Sequence, residues 1–387
     1  QKQKKVVKFW HNVIFHAYPL KFKLVFYHWW TKNNIQLNKK LKGSIVSGVK
    51  ISFIVPVFNK EEHIRDCLNS LISQDMDDIE IIVVDDGSSD DTSKILKEYE
   101  DKIILKTKSN AGVSAARNDG ILLAKGKYTI CVDADDYVEK DYASSVYGIA
   151  EKFDADIVIT DMCKIYGDKK LFFKDFETKE DGIIDKDEYL KRLLASRHNK
   201  VLHNAANKAI KTKILKENLF PAGITQAEDF HTVVRNVIAS KTLVKLNRTF
   251  YNYNIGENNT GGFEKLKAVV DHKFVYEDII SILKNKNLAL EMVPDLEFRK
   301  IKSVYMPAIS SRPNLKNNSY IKALDLFYED INSIINSAGF SKLRLKHRIL
   351  IKMLKNVKSY ENVSKILKIF NTINGFLSNK KMKEFKE

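Results

Sequence analysis

A chain of 387 residues, 44% of them hydrophobic, can bury a sizeable core, and its formal net charge is +16. Its three cysteines, Cys67, Cys131 and Cys163, include no C-x-x-C pair; that argues against a disulfide framework or a zinc site and suits core residues of a reduced, cytoplasmic protein. No apolar run approaches the roughly 18 residues that a membrane-spanning helix needs, no secretory signal is read, and with Gln1 first the true start is expected upstream.

Residues 1–50 carry +11 and residues 341–387 carry +10, which leaves the middle at −5. The first flank, "KKVVKFWHNVIFHAY", sets Val6, Phe9, Trp10, Val13, Ile14 and Ala17 at helical spacing, and Pro19 should end that helix. "KFKLVFYHWW" then crowds aromatics among lysines. At the other end Val363, Ile366, Leu367, Phe370 and Leu377 form one helical stripe. Basic amphipathic helices with aromatics suit an anionic membrane surface, so peripheral attachment is expected. The same stripes also suit packing on the body or on a second copy of the chain, hence a homo-oligomer. Nucleic acid is not expected, because the acidic body offers no continuous basic face.

From residue 51 strands and helices alternate. "ISFIVPVF" is a β-branched strand that enters a loop at "NKEE", and "EEHIRDCLNSLISQ" has helical periodicity. "IEIIVV" is a second strand ending at "DDGSSDDT", where Asp90 or Asp91 can cap the next helix. "DKIILKTKS" is a third strand, "NAGVSAARNDGILLAKG" a helix with Gly126 as its expected C-cap, "KYTICV" a fourth strand and "ADIVITD" a fifth. Such βαβ units predict an α/β, doubly wound, mostly parallel sheet with ligands at the carboxyl ends of the strands. We divide the chain into the basic segment 1–50, a catalytic domain 51–262 and a helical C-terminal domain 263–387 with a basic tail.

The fourth strand runs straight into Asp133, Asp135 and Asp136. Carboxylates held together repel one another unless a cation neutralises them. A D-x-D pair suits a hard divalent ion such as Mn2+ or Mg2+, leaving positions for phosphate oxygens. The bland alternative is a solvated acidic turn capping the helix near "EKDYASSVYGIA".

The order "FIVPVFNKEEHIRDCLNSLISQ", "EIIVVDDGSSDDT", "NAGVSAARNDGILLAKGKYTICVDADD" and then, over 205–254, "AANKAIKTKILKENLFPAGITQAEDFHTVVRNVIASKTLVKLNRTFYNYN" resembles the family 2 glycosyltransferases of the GT-A fold. The resemblance implies an inverting enzyme that takes its sugar from a UDP-sugar. It implies that Pro56, Val57 and Asn59, with Glu61 beside them, line the base and ribose. It implies that Asp85 and Asp86 read the uracil edge, and that Asn110, Gly112 and Arg117 lie near the donor. It assigns Asp135 and Asp133 of Asp133-Ala134-Asp135 to the metal, Asp133 also to the ribose, and leaves Asp136 to meet the sugar. Asp229 matches the catalytic base and Glu228 its neighbour, which positions the acceptor or tunes the base. Both also read simply as first-turn acids at a helix N-terminus.

His203 and His231 lie near the predicted site, although a histidine beside a helix is more often packed than metal-bound. "ENNTGG" (257–262) reads as a loop over the donor. The Q-x-x-R-W signature of processive synthases is absent, since Trp occurs only at 10, 29 and 30. Addition of one or a few sugars to a cell-surface glycan or lipid-linked precursor is therefore expected. A nucleotidyltransferase of related fold would carry a Gly-rich phosphate loop where "PVFNKEEH" stands. A non-catalytic membrane scaffold would have no use for these acids.

Overall fold

The computed structural model describes residues 48–195, 203–255, 265–310, 317–357 and 359–384. The basic segment expected at the N-terminus lies, up to residue 47, outside these residues, as does the 257–262 loop.

The alternation begins with β1 (Ile51–Val57), α1 (Ile64–Ile72), β2 (Ile79–Asp85), α2 (Thr92–Lys97), β3 (Ile104–Thr107), α3 (Val113–Leu123) and β4 (Tyr128–Cys131). It continues through β5 (Tyr137–Val138), α4 (Tyr142–Phe153), β6 (Ile157–Tyr166), β7 (Lys169–Phe173), β8 (Gly182–Ile184), α5 (Lys186–Ala195), β9 (Lys208–Lys211), α6 (Thr212–Glu217), α7 (Glu228–Ala239) and β10 (Leu243–Asn254). One sheet holds the strands in the order β3-β2-β1-β4-β9-β6-β10-β5, with β7 on β6 and β8 on β10. The block β3-β2-β1-β4 is parallel, as the βαβ texture predicts, and β6 and β10 are again parallel. Between the two parallel blocks β9 runs antiparallel to β4 and β6, a short strand too polar to stand out in the sequence.

Strand alternation separates two cores. Phe53, Val55, Ile81, Val83 and Ile130 face α1 and α4, whose Leu68, Leu71, Tyr142 and Val146 complete that layer. Ile54, Ile82, Val84 and Cys131 face α3, α5 and α7. All three cysteines are free and buried. The helix α3 ends before the expected cap, with Ala124 at its C-cap position. Gly126 serves the next turn instead, where a Cβ would stand 2.6 Å from the Ser52 amide nitrogen.

Pro56 sits in a strand with neighbours on both sides, a position that proline usually avoids. The β1–β4 ladder stops at Ile54, so at Pro56 only β2 remains alongside and no hydrogen bond is forfeited. The strands part here, and the site opens between them.

Beyond residue 264 the described chain is helical: α8 (Lys265–Lys286), α9 (Val293–Lys300), α10 (Met306–Ser310), α11 (Asn318–Asn336), α12 (Ala338–Ser341), α13 (Leu345–Leu354) and α14 (Tyr360–Glu384). A wide helical turn, Ile301–Tyr305, joins α9 to α10. Val275, Ile279 and Leu283 of α8 pack into the same core as Tyr189 and Val233, so apolar packing runs on from the sheet into these helices. The stripe read as membrane-facing at the C-terminus is core over its described part. Val363 and Leu367 are buried, with Ile366 and Phe370 packed on the same cluster, because α10, α11 and α13 supply the apolar surface they need. Leu377 lies beyond the described side chains. No helix among the described residues is long and apolar enough to cross a membrane.

Candidate active site

The loop after β1 is stapled to the loop after β2. Asn59 adopts positive φ (50°), which Asn tolerates better than most residues, and its Oδ1 accepts from the Ser89 amide at 2.8 Å. Glu61 Oε2 accepts from the Asp91 amide at 2.7 Å, and Asp90 Oδ1 rather than Asp91 receives the Thr92 amide. Glu61 thus builds the loop wall.

Asp85 and Asp86 end β2 nearly out of solvent, at 1% and 3% exposed. Asp85 accepts from the Ser88 amide (2.9 Å) and the Ser93 hydroxyl (2.5 Å), and so shapes its own turn. Asp86 accepts from the Ala111 and Gly112 amides at 2.9 and 2.7 Å. That bond needs Gly112 at φ 88°, and Gly87 lets the 108–110 backbone approach to within 3.0 Å of where a Cβ would stand. Asp86 therefore moors the Asn110–Gly112 loop at the head of α3.

At the end of β4 the acids divide. Ala134 is buried and turns the chain. Asp136 accepts from the Tyr251 hydroxyl (2.5 Å) and the Asn254 amide (2.8 Å) and is 1% exposed. The expected contact of Asp136 with the sugar is thus replaced by an anchor between β10 and the acidic turn. Burial, then the charge of Asp133, pushes its carboxyl well above the usual range. Asp135 meets the Lys60 ammonium at 2.5 Å and Asp133 meets Arg117 Nη2 at 2.8 Å.

Arg117 is the hub. Helix α3 carries it in, 5% exposed, with its guanidinium 5.0 Å from the Phe220 ring centre. Its Nη1 lies 2.9 Å from Asp229 Oδ1 and 3.3 Å from Glu228 Oε1, while Nη2 serves Asp133. Burial alone would lower its pKa, but Asp133, Asp229 and Glu228 hold it well above the ordinary value. Glu228 and Asp229 open α7, and Ala227 before them takes the left-handed conformation, φ 62°, a strained geometry for a residue with a Cβ. Burial and the Asp229 charge push the Glu228 carboxyl up to about 7. Burial also raises Asp229, against the pull of Arg117. A carboxylate so raised is a better proton acceptor near neutral pH than an exposed one. Its second oxygen accepts from the Ala205 amide at 3.2 Å, which leaves lone pairs for a substrate hydroxyl.

The two histidines bond to other protein groups. His203 Nε2 pairs with the Leu193 carbonyl at 3.1 Å, and His231 Nε2 with Asp278 Oδ2 at 2.7 Å across to α8. Sequence reasoning missed Lys60, Tyr251 and Lys208. Lys208 is fully buried and donates to Asp175, Asn207 Oδ1 and the Asn204 carbonyl at 2.8, 2.9 and 2.7 Å. It pins the 204–208 turn whose Ala205 amide holds Asp229. The one signal was a lysine inside the apolar run "AANKAI".

No cluster of three or more metal-binding side chains occurs among the described residues. The chemistry of the donor set nonetheless fits a hard divalent cation completed by ligand oxygens. Asp135 contributes carboxylate oxygens partly open to solvent, and its partner is a lysine side chain, 30% exposed, that can swing away.

An open α/β sheet with acidic loops at the carboxyl ends of its parallel strands, and two sets of acids bridged by one arginine, has the make-up of a GT-A group-transfer domain. Residues 52–217 match the model of "Glycosyl transferase family 2", so this part of the chain is a domain of that family. The poly(ribitol-phosphate) beta-glucosyltransferase of Bacillus spizizenii is 30% identical over 355 residues, 84% of this chain and 52% of its own length. Glycosyltransferase GlyA of Streptococcus pneumoniae is 31% identical over 252 residues, 62% of this chain and 36% of its own. The crystal structure of TarS 1–349 from S. aureus in complex with UDP-GlcNAc shares the fold at a TM-score of 0.60 and 22% identity, covering 84% of this chain and 92% of that one. The chain spans about a third to a half of the length of these curated relatives.

Proposed function

We propose that the chain transfers a sugar from a UDP-sugar, with inversion and without processivity, to a hydroxyl of a cell-surface glycan precursor. The observation that carries this reading is the shared guanidinium: Arg117 binds Asp133 of the D-x-D turn and Asp229 of α7 at once. A guanidinium shared in this way supports a diphosphate bound close to the base. Pro56, Val57, Asn59 and the Asp86-moored Asn110–Gly112 loop form the nucleotide pocket. Asp229 takes the proton of the acceptor hydroxyl as that oxygen attacks the anomeric carbon, and the sugar–diphosphate bond breaks on the far side. Burial, with the charge of Asp133, keeps Asp229 proton-avid, and Glu228 beside it positions the acceptor. Asp135, with Asp133, would hold Mn2+ or Mg2+, which stabilises the charge of the departing UDP.

The names of the relatives, which act on poly(ribitol-phosphate), support a surface-polymer acceptor. The exposed stripe Leu345, Ile349 and Met353 on α13, set among Lys346, Lys352 and Lys355, supports docking of this face on the inner surface of an anionic membrane.

UDP release is measured with a panel of UDP-sugars, with and without Mn2+. Asp229→Asn should lower transfer at least a hundredfold, within the usual reach of general-base catalysis, while UDP still binds. Undiminished transfer in that variant would overturn the base. A nucleotidyltransferase would instead release pyrophosphate from a nucleoside triphosphate, and a scaffold would turn over none of the panel.

A further inference from the structure

Beside Glu228 and Asp229 lies a cleft of about 1240 Å3 whose far wall belongs to the C-terminal helices. That wall is basic: Arg299 lies in the last turn of α9, Lys302 follows that helix, and Lys342, Arg344 and His347 come from the α12–α13 corner. Lys342 is neutralised by Asp295 at 2.9 Å. Arg299, Lys302 and Arg344 have no carboxylate partner among the described residues. The Arg299 guanidinium lies 5.0 Å from the Phe230 ring centre and 5.5 Å from that of Tyr276, with Nη1 on the Leu194 carbonyl at 2.6 Å. The other N–H groups of its fork remain for a ligand. Burial, then Lys346, Lys302 and Arg344, lowers the pKa of His347.

Like charges gathered in a cleft cost stability unless an anion joins them. The cleft takes in Glu228 and Asp229 and none of the D-x-D acids, so the basic wall faces the base side of the site. We propose that Arg299, Lys302 and Arg344 form a phosphate subsite for the acceptor, so that the hydroxyl offered to Asp229 belongs to a phosphate-bearing molecule. Guanidinium forks and an ammonium suit phosphate oxygens. The inference rests on the transferase reading for the role of the anion, but the subsite itself is testable by binding alone.

Binding to the full chain is measured by calorimetry with three probes: a short synthetic polyol-phosphate oligomer, its neutral polyol analogue, and a short-chain prenyl diphosphate. The oligomer or the prenyl diphosphate should bind at least tenfold more tightly than the neutral polyol, and the tighter of the two identifies the source of the phosphate. In the double variant Lys302→Ala, Arg344→Ala that affinity should fall about tenfold, as expected for lost hydrogen bonds between charged groups. Rising ionic strength should weaken binding to the unaltered chain more steeply than to the variant. Equal affinity for the neutral polyol, or an unchanged double variant with an unchanged salt slope, overturns the subsite. Absence of UDP release from every UDP-sugar would overturn the transferase reading without touching these binding results.

Discussion

Arg117 Nη1 stands 2.9 Å from Asp229 Oδ1, although the two residues are 112 apart in sequence. With Nη2 on Asp133 the same side chain closes a bridge between the acidic turn after β4 and the head of α7. Three carboxylates and one cation form a charge cluster whose geometry holds only while the fork is in place.

Arg117→Met should therefore cost about 3 kcal/mol or more in denaturant unfolding, because it leaves buried carboxylates without their cation. Arg117→Lys should regain part of that stability and less of the transfer rate, since an ammonium cannot span the acids as a planar fork does. Equal recovery of both quantities would refute the bridging role.

A pH dependence follows from Glu228. Its carboxyl stands at about 7 when folded against an ordinary 4.5. The folded state binds the extra proton between these values, so this contribution is fully present below pH 4.5 and is lost as pH rises through 7. Compared with Glu228→Gln, the unaltered chain should lose at most about 3 kcal/mol of stability over that window. Parallel stability curves for the two proteins would place the raised carboxyl elsewhere.

Lys60 occupies Asp135 at 2.5 Å, where a divalent ion would bind. Lys60→Ala should tighten Mn2+ binding in the presence of UDP by roughly two- to fivefold, matching the modest worth of a part-exposed ion pair. Calorimetry that shows weaker Mn2+ binding would mean that the ammonium serves the diphosphate directly.

Tyr251 is fully buried, and its hydroxyl donates to Asp136 while accepting from the Asp133 amide at 3.1 Å. Tyr251→Phe should cost about 2 kcal/mol, because a buried carboxylate oxygen loses its donor. The acidic turn should loosen with it, so kcat should fall more than UDP affinity. Unchanged thermal unfolding would show that Asp136 finds another donor.

The sequence alone determined the parallel block β1–β4, its helices and the position of the acids at the strand ends. Each of those features is local: β-branched runs with alternating burial, helical spacing, and polar residues where a doubly covered strand must end. It also carried the family resemblance, and with it Arg117, Asp133, Asp135, Glu228 and Asp229. Only the tertiary structure decided what each charge touches. Lys60 meets Asp135 across 75 residues, and a lysine beside Glu61 and Glu62 looks in sequence like any solvated loop lysine. Asp136 belongs to the same acidic turn as Asp133 and Asp135, yet the hydrogen bond from Tyr251 turns it into a structural anchor. The stripe at Val363 and Leu367 has one periodicity whether it faces lipid or protein, and packing against α10, α11 and α13 chose protein. Periodicity fixes which face of an element is apolar; the partner of that face, like the partner of a charge, depends on contacts between distant segments that local pattern does not encode.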